Sequence, residues 1–432
     1  MMRFERRVSL RPVRAHLWLD LRTNGSLSLE FLPHCVFLQQ SLLFELMHDG
    51  RSVPLLVRNL FVRHLFARLS SVAAIGMATA FVMVSGCQPS TSQKTTEVSA
   101  EPAAQEKEIS SKLEALGAKL QREAGFIIDV DLRGTESSDE TLPILQPLER
   151  LRSLHLDKLP ISDSGIATIG SFKGPLANLD IRNCAITDAA METLSGITTL
   201  KAIRLSGESS ATSVGDDGVA KLATLKNLKV LAVDDLWVSG TALEALAGLS
   251  SIEELYLKST LVDDDAMTMV ARFPNLKKLR ISKTQVSNDG LQHLTACKKL
   301  EDLDLSENSL LDDQGMAIVG QMTSLKKLNL WRDAISDTGL QHLSPLVNLA
   351  WLNVDNTQVS DAGLPALKDM SQLTFLHLGS TSVSDAGMPS LEHLTQLKDL
   401  KVTRTAVTEE GVQALQMKLP NTAIQLKYIE GE

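Results

Sequence analysis

Histidines and acidic residues are the side chains of this 432-residue chain that could do acid–base chemistry or bind a metal, and both recur at regular intervals. His293, His342 and His393 stand in the similar stretches GLQHL, GLQHL and SLEHL. Acidic runs occur at 216–217, 263–265 and 312–313. Duplication of one segment explains such histidines better than catalysis. The acidic runs stand where helices are expected to begin, which predicts helix capping; a calcium loop needs a different spacing of acids.

Sequence motifs for catalysis and cofactor binding are missing. The chain has no GxSxG, HExxH, GxGxxG or P-loop motif, and its four cysteines form no CxxC pair. Extended repeat surfaces rarely build the closed, dry pocket that acid–base chemistry needs. The sequence therefore predicts a non-enzyme without cofactor or metal, although a role as an enzyme or as an enzyme inhibitor stays an alternative.

One sequence segment is repeated eleven times along the chain. LTFLHLGSTSVSDAGMPSLEHLTQ (373–396) has close copies before and after it, with the shared pattern LxxLxLxxTxVSDxGLxxLxxLxx. The copies begin at Leu151, Leu176, Leu200, Leu228, Ile252, Leu276, Leu300, Leu325, Leu349, Leu373 and Leu397. Partial copies precede them (127–134) and follow them (423–431). Repetition at this period is typical of a solenoid.

Each copy has the pattern of a strand, a turn and a short helix. Leu376 and Leu378 alternate with outward residues, as in a strand with one buried face. Ser384 or Asp385 is placed to cap the following helix. Pro389, like Pro365, is tolerated only near a helix start, so the helices must be short. A single copy cannot cover its own leucines, which predicts an α/β solenoid with a parallel sheet on the concave side and short helices on the convex side.

The repeat line resembles the leucine-rich-repeat family, and its T-x-V-[ST]-D-x-G-[LM] half resembles the ribonuclease-inhibitor-like group, which includes F-box substrate receptors. No F-box-like helical segment precedes the repeats, so a ubiquitin-ligase function is not carried over. The resemblance implies a horseshoe that binds another macromolecule, a protein, on its concave sheet. Expected boundaries are an N-terminal cap with a partial repeat at 109–150, eleven repeats at 151–421 and a C-terminal partial repeat at 422–432.

Aromatic residues concentrate at the outward strand positions of the later repeats. Trp351 and Phe375 are predicted to be neighbours on adjacent strands, and Gly379 leaves space beside Asp355. Trp237, on a turn, is expected to pack against a neighbour. Exposed aromatic clusters rimmed by polar groups are typical of interface anchors; the alternative is that the rings only cover the sheet. The predicted partner-binding residues are Trp331, Trp351, Asp355, Phe375, His377 and Tyr256.

Charged residues of repeats six to eight stand at equal positions with alternating sign. A parallel, in-register sheet places such residues side by side, where opposite charges contribute roughly 0.2–1 kcal/mol per pair. The predicted ladders are Lys277–Glu301–Lys326, Lys278–Asp302–Lys327 and Lys283–Glu307–Arg332, with Arg280 beside Asp304. Mutual neutralisation is the first interpretation, and a charged docking stripe is the second.

The N-terminal region has the composition of an export signal. Residues 51–87 contain Arg58, Arg63 and Arg68, an uncharged run from Val72 to Val84, and then Ser-Gly-Cys. Basic region, short apolar core and small residues occur in this order in a secretory signal. The end, Val84-Ser85-Gly86-Cys87, resembles a bacterial lipoprotein lipobox, in which the cysteine is acylated; a plain signal peptide and an uncleaved anchor are the alternatives.

The lipobox-like sequence predicts the boundaries of the N-terminal segments. A leader of 86 residues is unusually long, so we expect translation to begin at Met47, with 47–86 as signal peptide; a disordered extension at 1–46 is the alternative. Residues 87–108 are polar and rich in Ser, Thr, Ala and Glu, which predicts a flexible tether. The chain is then an exported protein held by Cys87 to the cell envelope, at the outer membrane or periplasmic face rather than in the cytoplasm.

Charge excludes one class of partner. Residues 1–86 carry a net charge of +5, whereas the remaining 346 residues carry 33 basic and 47 acidic side chains, a net charge of −14. A nucleic-acid binder needs a basic stripe to displace counterions, so no nucleic-acid partner is expected. A protein partner is the first prediction, and a structural spacer without a specific ligand is the alternative.

Overall fold

The computed structural model describes residues 100–427, with side chains from residue 105 onward. The predicted extension, signal peptide, lipobox cysteine Cys87 and most of the tether lie outside the described residues. The described residues fall within one compact unit. No helix among residues 100–427 is both long enough and apolar enough to cross a bilayer.

Strands and short helices alternate along the whole described chain. The strands are β1 (Lys119–Glu123), β2 (Phe126–Asp131), β3 (Ser153–His155), β4 (Asn178–Asp180), β5 (Ala202–Ser206), β6 (Val230–Asp234), β7 (Glu254–Tyr256), β8 (Lys278–Arg280), β9 (Asp302–Asp304), β10 (Lys327–Asn329), β11 (Trp351–Asn353), β12 (Phe375–His377), β13 (Asp399–Lys401) and β14 (Ala423–Gln425). The α-helices are α1 (Ala100–Ala115), α2 (Asp163–Ile169), α3 (Asp188–Gly196), α4 (Asp216–Lys221), α5 (Gly240–Leu246), α6 (Asp264–Val270), α7 (Asn288–Leu294), α8 (Asp313–Val319), α9 (Asp337–His342) and α10 (Glu409–Lys418). Short 3₁₀ helices cover Asp139–Leu145, Leu222–Thr224, Leu364–Leu367 and Met388–Leu391.

The strands form one 14-stranded sheet whose order follows the sequence. Strands β2 to β14 pair in parallel with equal repeat positions side by side, for example Leu352 with Leu376. This confirms the predicted solenoid with a sheet on one side and short helices on the other. The helices containing Pro365 and Pro389 are four-residue 3₁₀ helices with proline in the first turn, as the sequence predicts.

The N-terminal end departs from the repeat pattern. β1 and β2 form an antiparallel hairpin, and α1 packs on both strands with Ile109 and Leu113 buried. Since α1 begins at Ala100, the residues from 100 to 108 are helical, which corrects the expectation that the tether continues to residue 108. The helix belongs to the cap because Ile109 and Leu113 cover the core at the hairpin end of the sheet.

The leucines of the repeats form one continuous core. Leu373, Leu376 and Leu378 are fully buried, as are their counterparts throughout the stack. Fully burying a leucine contributes roughly 1.5–3 kcal/mol. Because the shared positions of each copy are covered by its neighbours, the stability of the solenoid comes from contacts between repeats as much as from contacts within them.

Aspartates at the helix starts link each repeat to the next one. The serine or threonine hydroxyl of the VSD sequence caps its own helix: the Ala386 N–H donates to Oγ of Ser384. The aspartate accepts from the following repeat, since Oδ1 of Asp337 accepts the Ser360 N–H at 2.7 Å and Oδ2 accepts the Ser360 hydroxyl at 2.6 Å. The same pair of bonds joins Ser162 to Asp139, Thr187 to Asp163, Ser239 to Asp216, Ser287 to Asp264, Ser336 to Asp313, Ser384 to Asp361 and Thr408 to Asp385.

Three repeats depart from this carboxylate ladder. At Gly215, which has no hydroxyl, only the N–H bond to Asp188 remains, at 2.9 Å; at Asp263 and Asp312 the change is compensated. Asp263 and Asp312 replace the capping serine, and each caps its helix with its own carboxylate. An aspartate at the ladder position of the preceding repeat would repel these carboxylates. That position is Gly240 in the repeat before Asp263. In the repeat before Asp312 it is Asn288, whose side chain donates to Asp312 at 2.7 Å. The acidic runs therefore cap helices, as predicted. The hydrogen bonds that join aspartates to the next repeat do not follow from the sequence pattern alone.

Removing one carboxylate of the ladder is expected to destabilise the solenoid. Asp337→Ala leaves the N–H and hydroxyl of Ser360 without an acceptor, and hydrogen bonds to charged groups contribute about 1.5–3 kcal/mol each. We expect a loss of about 2–3 kcal/mol in the free energy of urea unfolding. Asp369→Ala is the control, because Asp369 is exposed. Equal free energies of unfolding for Asp337→Ala and Asp369→Ala would show that the carboxylate ladder does not stabilise the fold.

Asp333 is a buried carboxyl at a position where neighbouring repeats carry threonine. Its side chain is 2% exposed. Oδ1 accepts the Asn308 N–H at 2.9 Å, and Oδ2 has no hydrogen-bond partner among the described residues. Burial raises the pKa of Asp333 to about 8, and the nearby Asp304 and Glu307 contribute. The folded chain therefore binds a proton at this site near neutral pH, whereas the unfolded chain, with a pKa of about 3.9, does not.

Replacing Asp333 by Asn should flatten the pH dependence of stability. The proton bound only by the folded state makes wild-type stability fall, by up to about 1.4 kcal/mol per pH unit, as the pH rises from about 4 to about 8. Asp333→Asn removes this contribution, so its advantage over wild type should grow with pH. Urea unfolding at intervals between pH 5 and 8 measures the difference, and parallel profiles would show that Asp333 is ionised in the folded chain.

Candidate functional site

The later repeats carry three aromatic side chains, Trp331, Trp351 and Phe375, together called the aromatic strip; Trp331 follows the end of β10 and does not share the strand position of the other two. Trp351 and Phe375 are paired residues on β11 and β12, and their rings stack with centroids 4.8 Å apart and planes at 5°. All three side chains are half-buried. The prediction that Trp351 and Phe375 are outward neighbours is confirmed; their role in binding stays a prediction.

Basic side chains flank the aromatic strip. Nζ of Lys327 lies 4.8 Å from the ring centroid of Trp351, and Cζ of Arg332 lies 5.2 Å from that of Trp331. Arg332 also forms an ion pair with Glu307 at 3.1 Å. Cation–π contacts of this kind contribute about 0.5–1 kcal/mol at exposed sites, and here they hold the two tryptophan rings against the sheet.

Tyr256 stands apart from the aromatic strip. It lies on β7, with β8, β9 and β10 between it and Trp351, and its hydroxyl donates to Glu254 at 2.7 Å. Burial and that carboxylate raise the pKa of Tyr256. Tyr256 and Trp351 line one cleft of about 420 Å³. The predicted residues thus share one face, with charged side chains between them.

The predicted charge ladders form only in part. The contacts of repeat eight with repeat seven are present, whereas Lys277, Lys278 and Lys283 form no ion pair with repeat seven among residues 105–427. Lys326 pairs with Glu301 at 3.0 Å, Lys327 with Asp302 at 3.8 Å, and Arg280 with Asp304 at 3.1 Å.

The other lysines depart from the prediction. Lys277 pairs with Glu253 at 2.7 Å and Lys278 with Glu254 at 3.4 Å, in repeat five rather than in repeat seven. Glu253 also accepts from Lys229 at 2.6 Å, and the two lysines lower its pKa to about 2. Repeat five supplies acids that the three-repeat prediction left out, so these lysines face the other neighbour.

A second cleft opens where strands β11 to β13 end, around Gly379. It measures about 530 Å³ and is lined by Trp331, Arg332, Asn353, Asp355, Asn356, His377, Ser380, Lys401, Thr403, Arg404 and Gln425. A Cβ placed on Gly379 would come 2.7 Å from Oδ1 of Asp355. It would come 2.9 Å from both Nε2 of His377 and Oγ1 of Thr403. Polar side chains from three repeats therefore crowd the place that a side chain on Gly379 would take.

Asp355, His377 and Thr403 lie close together where strands β11 to β13 end. Among residues 105–427, the carboxylate of Asp355, the imidazole of His377 and the hydroxyl of Thr403 make no hydrogen bond or ion pair. His377 contacts the edge of Phe375, with centroids 6.3 Å apart. Burial holds the pKa of His377 below its ordinary value, with Lys401 adding to the effect and Asp355 opposing it. The imidazole is therefore uncharged at neutral pH and offers one donor and one acceptor.

Trp237 corrects a prediction made from the sequence. It is 74% exposed rather than packed against a neighbour. Leu261, which follows the same strand-to-helix turn one repeat later, is 42% exposed. The signal available in the sequence was the turn itself, because side chains at this point project from the rim of the solenoid and no neighbouring repeat covers them.

Metal binding has no support among the described residues. In the part of the chain from 105 to 427, no group of three or more His, Cys, Asp or Glu side chains is arranged to hold a metal ion. Cys184 and Cys297 are buried free thiols, and burial raises the pKa of Cys184 to about 12. Both cysteines fill the core.

Comparisons with known proteins indicate leucine-rich repeats. Residues 216–332 match a family model described as the leucine-rich repeats of the FBD-associated F-box protein At5g56370. The fold is similar to that of an internalin, inlF, from Listeria monocytogenes, at 22% identity and a TM-score of 0.52, over 76% of this chain and 90% of that one. No curated protein matches the sequence.

Two further solved structures resemble this chain more weakly. An internalin C2 from Listeria monocytogenes matches at 20% identity and a TM-score of 0.39, over 48% of this chain and 83% of that one. A leucine-rich-repeat protein from Leptospira interrogans matches at 19% identity and a TM-score of 0.38, over 66% of this chain and 80% of that one. Together with the sheet and helix order, the family model and the inlF structure identify the fold as a leucine-rich-repeat solenoid.

Proposed function

We propose that this leucine-rich-repeat solenoid binds another protein on its open sheet face and that the aromatic strip of Trp331, Trp351 and Phe375 anchors the complex. The observation that carries the proposal is the stacked Trp351–Phe375 pair, which stands half-exposed on a sheet whose other side is fully packed. Two large rings left partly in water have a hydrophobic gain to make on contact with a partner.

The surroundings of the aromatic strip suit an interface. Interface hot spots are enriched in tryptophan and arginine, and they lie within a rim of polar groups. Arg332 and Lys327 flank the strip, and Asp355 and His377 lie beside it. The strip is pre-ordered, because its strands are fixed in register and its rings are stacked, so little conformational entropy is lost on binding.

We further propose that the solenoid acts at the cell envelope, attached through a lipid on Cys87. The lipobox-like Val-Ser-Gly-Cys, the preceding basic and apolar regions and the polar segment up to about residue 99 support this arrangement. A single acyl chain gives only reversible membrane binding, whereas several chains hold a protein lastingly. The acidic repeat body is consistent with a protein partner rather than with nucleic acid.

Truncating the stacked pair is expected to weaken partner binding. A partner is captured from cells by the purified wild-type chain, identified by mass spectrometry and then expressed. Trp351→Ala and Phe375→Ala should each raise its Kd roughly thirty-fold, since hot-spot truncations cost about 2 kcal/mol or more. Surface plasmon resonance measures the affinity, and circular dichroism checks that the variants fold.

Trp237→Ala is the matched control. It removes a tryptophan that is more exposed than those of the strip but lies on the rim of the solenoid. Unchanged binding by Trp351→Ala and Phe375→Ala, together with weakened binding by Trp237→Ala, would move the interface to the rim. A wild-type chain that captures no specific partner would favour the structural spacer.

The lipid anchor makes a separate prediction about the mature protein. In a bacterial expression host, the mass of the mature N-terminal peptide should correspond to a chain that begins at an acylated Cys87. Cys87→Ser should leave the unprocessed precursor and remove the acyl mass. An unmodified peptide that begins before Met47, or a wild-type mass without acyl groups, would refute the anchor and leave the proposal for the sheet face untouched.

A further inference from the structure

Three large apolar side chains lie exposed along the rim where the strands turn into the helices. Trp237, Leu261 and Leu310 are 74%, 42% and 54% exposed. Each directly precedes the buried residue that leads into the helix of its repeat, so the three occupy one repeat position, in repeats four, five and seven. We call them the apolar row.

Backbone hydrogen bonds between repeats set the spacing of the apolar row. The Leu261 N–H donates to the carbonyl of Val238 at 2.9 Å, and the Gln285 N–H donates to the carbonyl of Val262 at 3.1 Å. The turns therefore stack at the distance of neighbouring strands, roughly 5 Å. From repeat four to repeat seven the row spans roughly 15 Å.

The solenoid does not need apolar residues at this position. The other eight repeats carry small or polar residues there, and all eight are exposed: Pro160, Ala185, Ser213, Gln285, Ala334, Gln358, Ser382 and Ala406. Folding therefore gives no reason for a tryptophan and two leucines in repeats four to seven. Large apolar side chains that stand together in water mark an interaction surface.

Exposed acidic side chains lie beside the apolar row, at the starts of the helices of repeats three to seven. They are Asp217, Asp263, Asp265, Asp289 and Asp312. None of the five forms an ion pair within residues 105–427. The sheet face differs, because its acids are paired there with lysine or arginine.

Basic side chains offset only a small part of this negative charge. Lys258 and Lys283 lie at the strand ends of repeats five and six. Lys258 pairs with Asp235 at 3.9 Å, which leaves Lys283 to face the exposed acids. A hydrogen bond from Asn288 lowers the pKa of Asp312, so that carboxylate is charged at neutral pH. The rim next to the apolar row is therefore negative.

We propose that this rim binds a basic amphipathic helix of a protein partner. The apolar side chains of that helix cover the apolar row, and its lysine or arginine side chains pair with the exposed acids. This surface is separate from the aromatic strip and goes beyond the function proposed for the sheet face.

The spacing of the apolar row suits a helix that lies along it. A helix advances 5.4 Å per turn, close to the distance of roughly 5 Å between repeats. Apolar residues one turn apart on the partner thus stay in step with Trp237, Leu261 and Leu310. An extended strand places side chains of one face roughly 6.8 Å apart, which falls out of step within the row.

Two other occupants fit the charges less well. A second copy of this chain that used the same rim would place acids against acids. A membrane with anionic lipids would be repelled by the same carboxylates. A basic helix gains ion pairs together with the burial of apolar side chains, which is how amphipathic helices are recognised in grooves and on apolar surfaces.

The chain itself indicates which variants keep the fold. Serine and glutamine occupy the row position in other repeats, so Trp237→Ser and Leu261→Gln introduce residues that the solenoid accepts. Asp265→Asn removes a charge whose carboxylate makes no hydrogen bond among residues 105–427. Met417→Ser is the matched control, because Met417 is 78% exposed but lies on α10, in the last repeat.

Fluorescence anisotropy with the full-length chain measures binding of a labelled peptide of about 14 residues, a helix about 21 Å long, with leucines on one face and lysines on the other. We expect binding that the Trp237→Ser, Leu261→Gln double variant weakens about ten-fold. Asp265→Asn should weaken it about two-fold. Met417→Ser and Phe375→Ala should leave it unchanged. Circular dichroism confirms that each variant is folded.

Several outcomes would overturn the proposal. They are the absence of binding up to about 1 mM, equal binding of a peptide with glutamate in place of lysine, and binding that the double variant leaves unaltered. A dimer in sedimentation that Trp237→Ser dissolves would assign the rim to a second copy. Binding to phosphatidylethanolamine–phosphatidylglycerol vesicles that Trp237→Ser abolishes would assign it to a membrane. Since Phe375→Ala tests the aromatic strip alone, failure here leaves the proposal for the sheet face standing.

Discussion

A repeat of this chain cannot bury its own leucines, and this constraint shapes the rest of the molecule. Leu376 is fully covered only because the strands on both sides carry Leu352 and Leu400 at the same height. Burial of about 1.5–3 kcal/mol per leucine is thus shared between neighbours. Stability therefore requires in-register stacking, and stacking in register places every third and fifth strand position on one open face. The functional surface is a geometric consequence of how the core is closed.

Register along the helices is held by a different force. Hydrophobic contact is non-directional and tolerates small slips, whereas the carboxylate of Asp337 accepts both the N–H and the hydroxyl of Ser360 in one geometry. The ladder of such bonds fixes the helix starts at one height. The exceptions follow the same constraint. Where Asp263 and Asp312 replace the capping serine, the aspartate position of the preceding repeat is occupied by Gly240 and Asn288. Such compensation keeps a charge from facing a charge.

The sequence predicts the features that follow from the repeat period. It does not predict which of two neighbouring repeats a side chain contacts. The alternation around Leu376 and the recurrence of the VSD sequence suffice for strands, helices, sheet order and the Trp351–Phe375 contact. They do not decide whether Lys277 turns to Glu253 or to Glu301, because both lie one strand away, and Glu253 is found only by including repeat five. Trp237 was misplaced because hydrophobicity alone suggests burial, whereas its turn projects from the stack. The sequence shows Asp333 at a position that is threonine in other repeats, but the raised pKa follows only from its burial.

The pairing of charged side chains changes along the sheet face. From β7 to β10, lateral ion pairs such as Arg280–Asp304 satisfy the charged side chains and leave little for a partner to gain. On β11 and β12, Trp351 and Phe375 occupy the third strand position, where β8, β9 and β10 carry charged residues. A hydrophobic gain on contact with a partner is then available at these two strands. The strands that follow the run of ion pairs therefore provide the proposed protein-binding site.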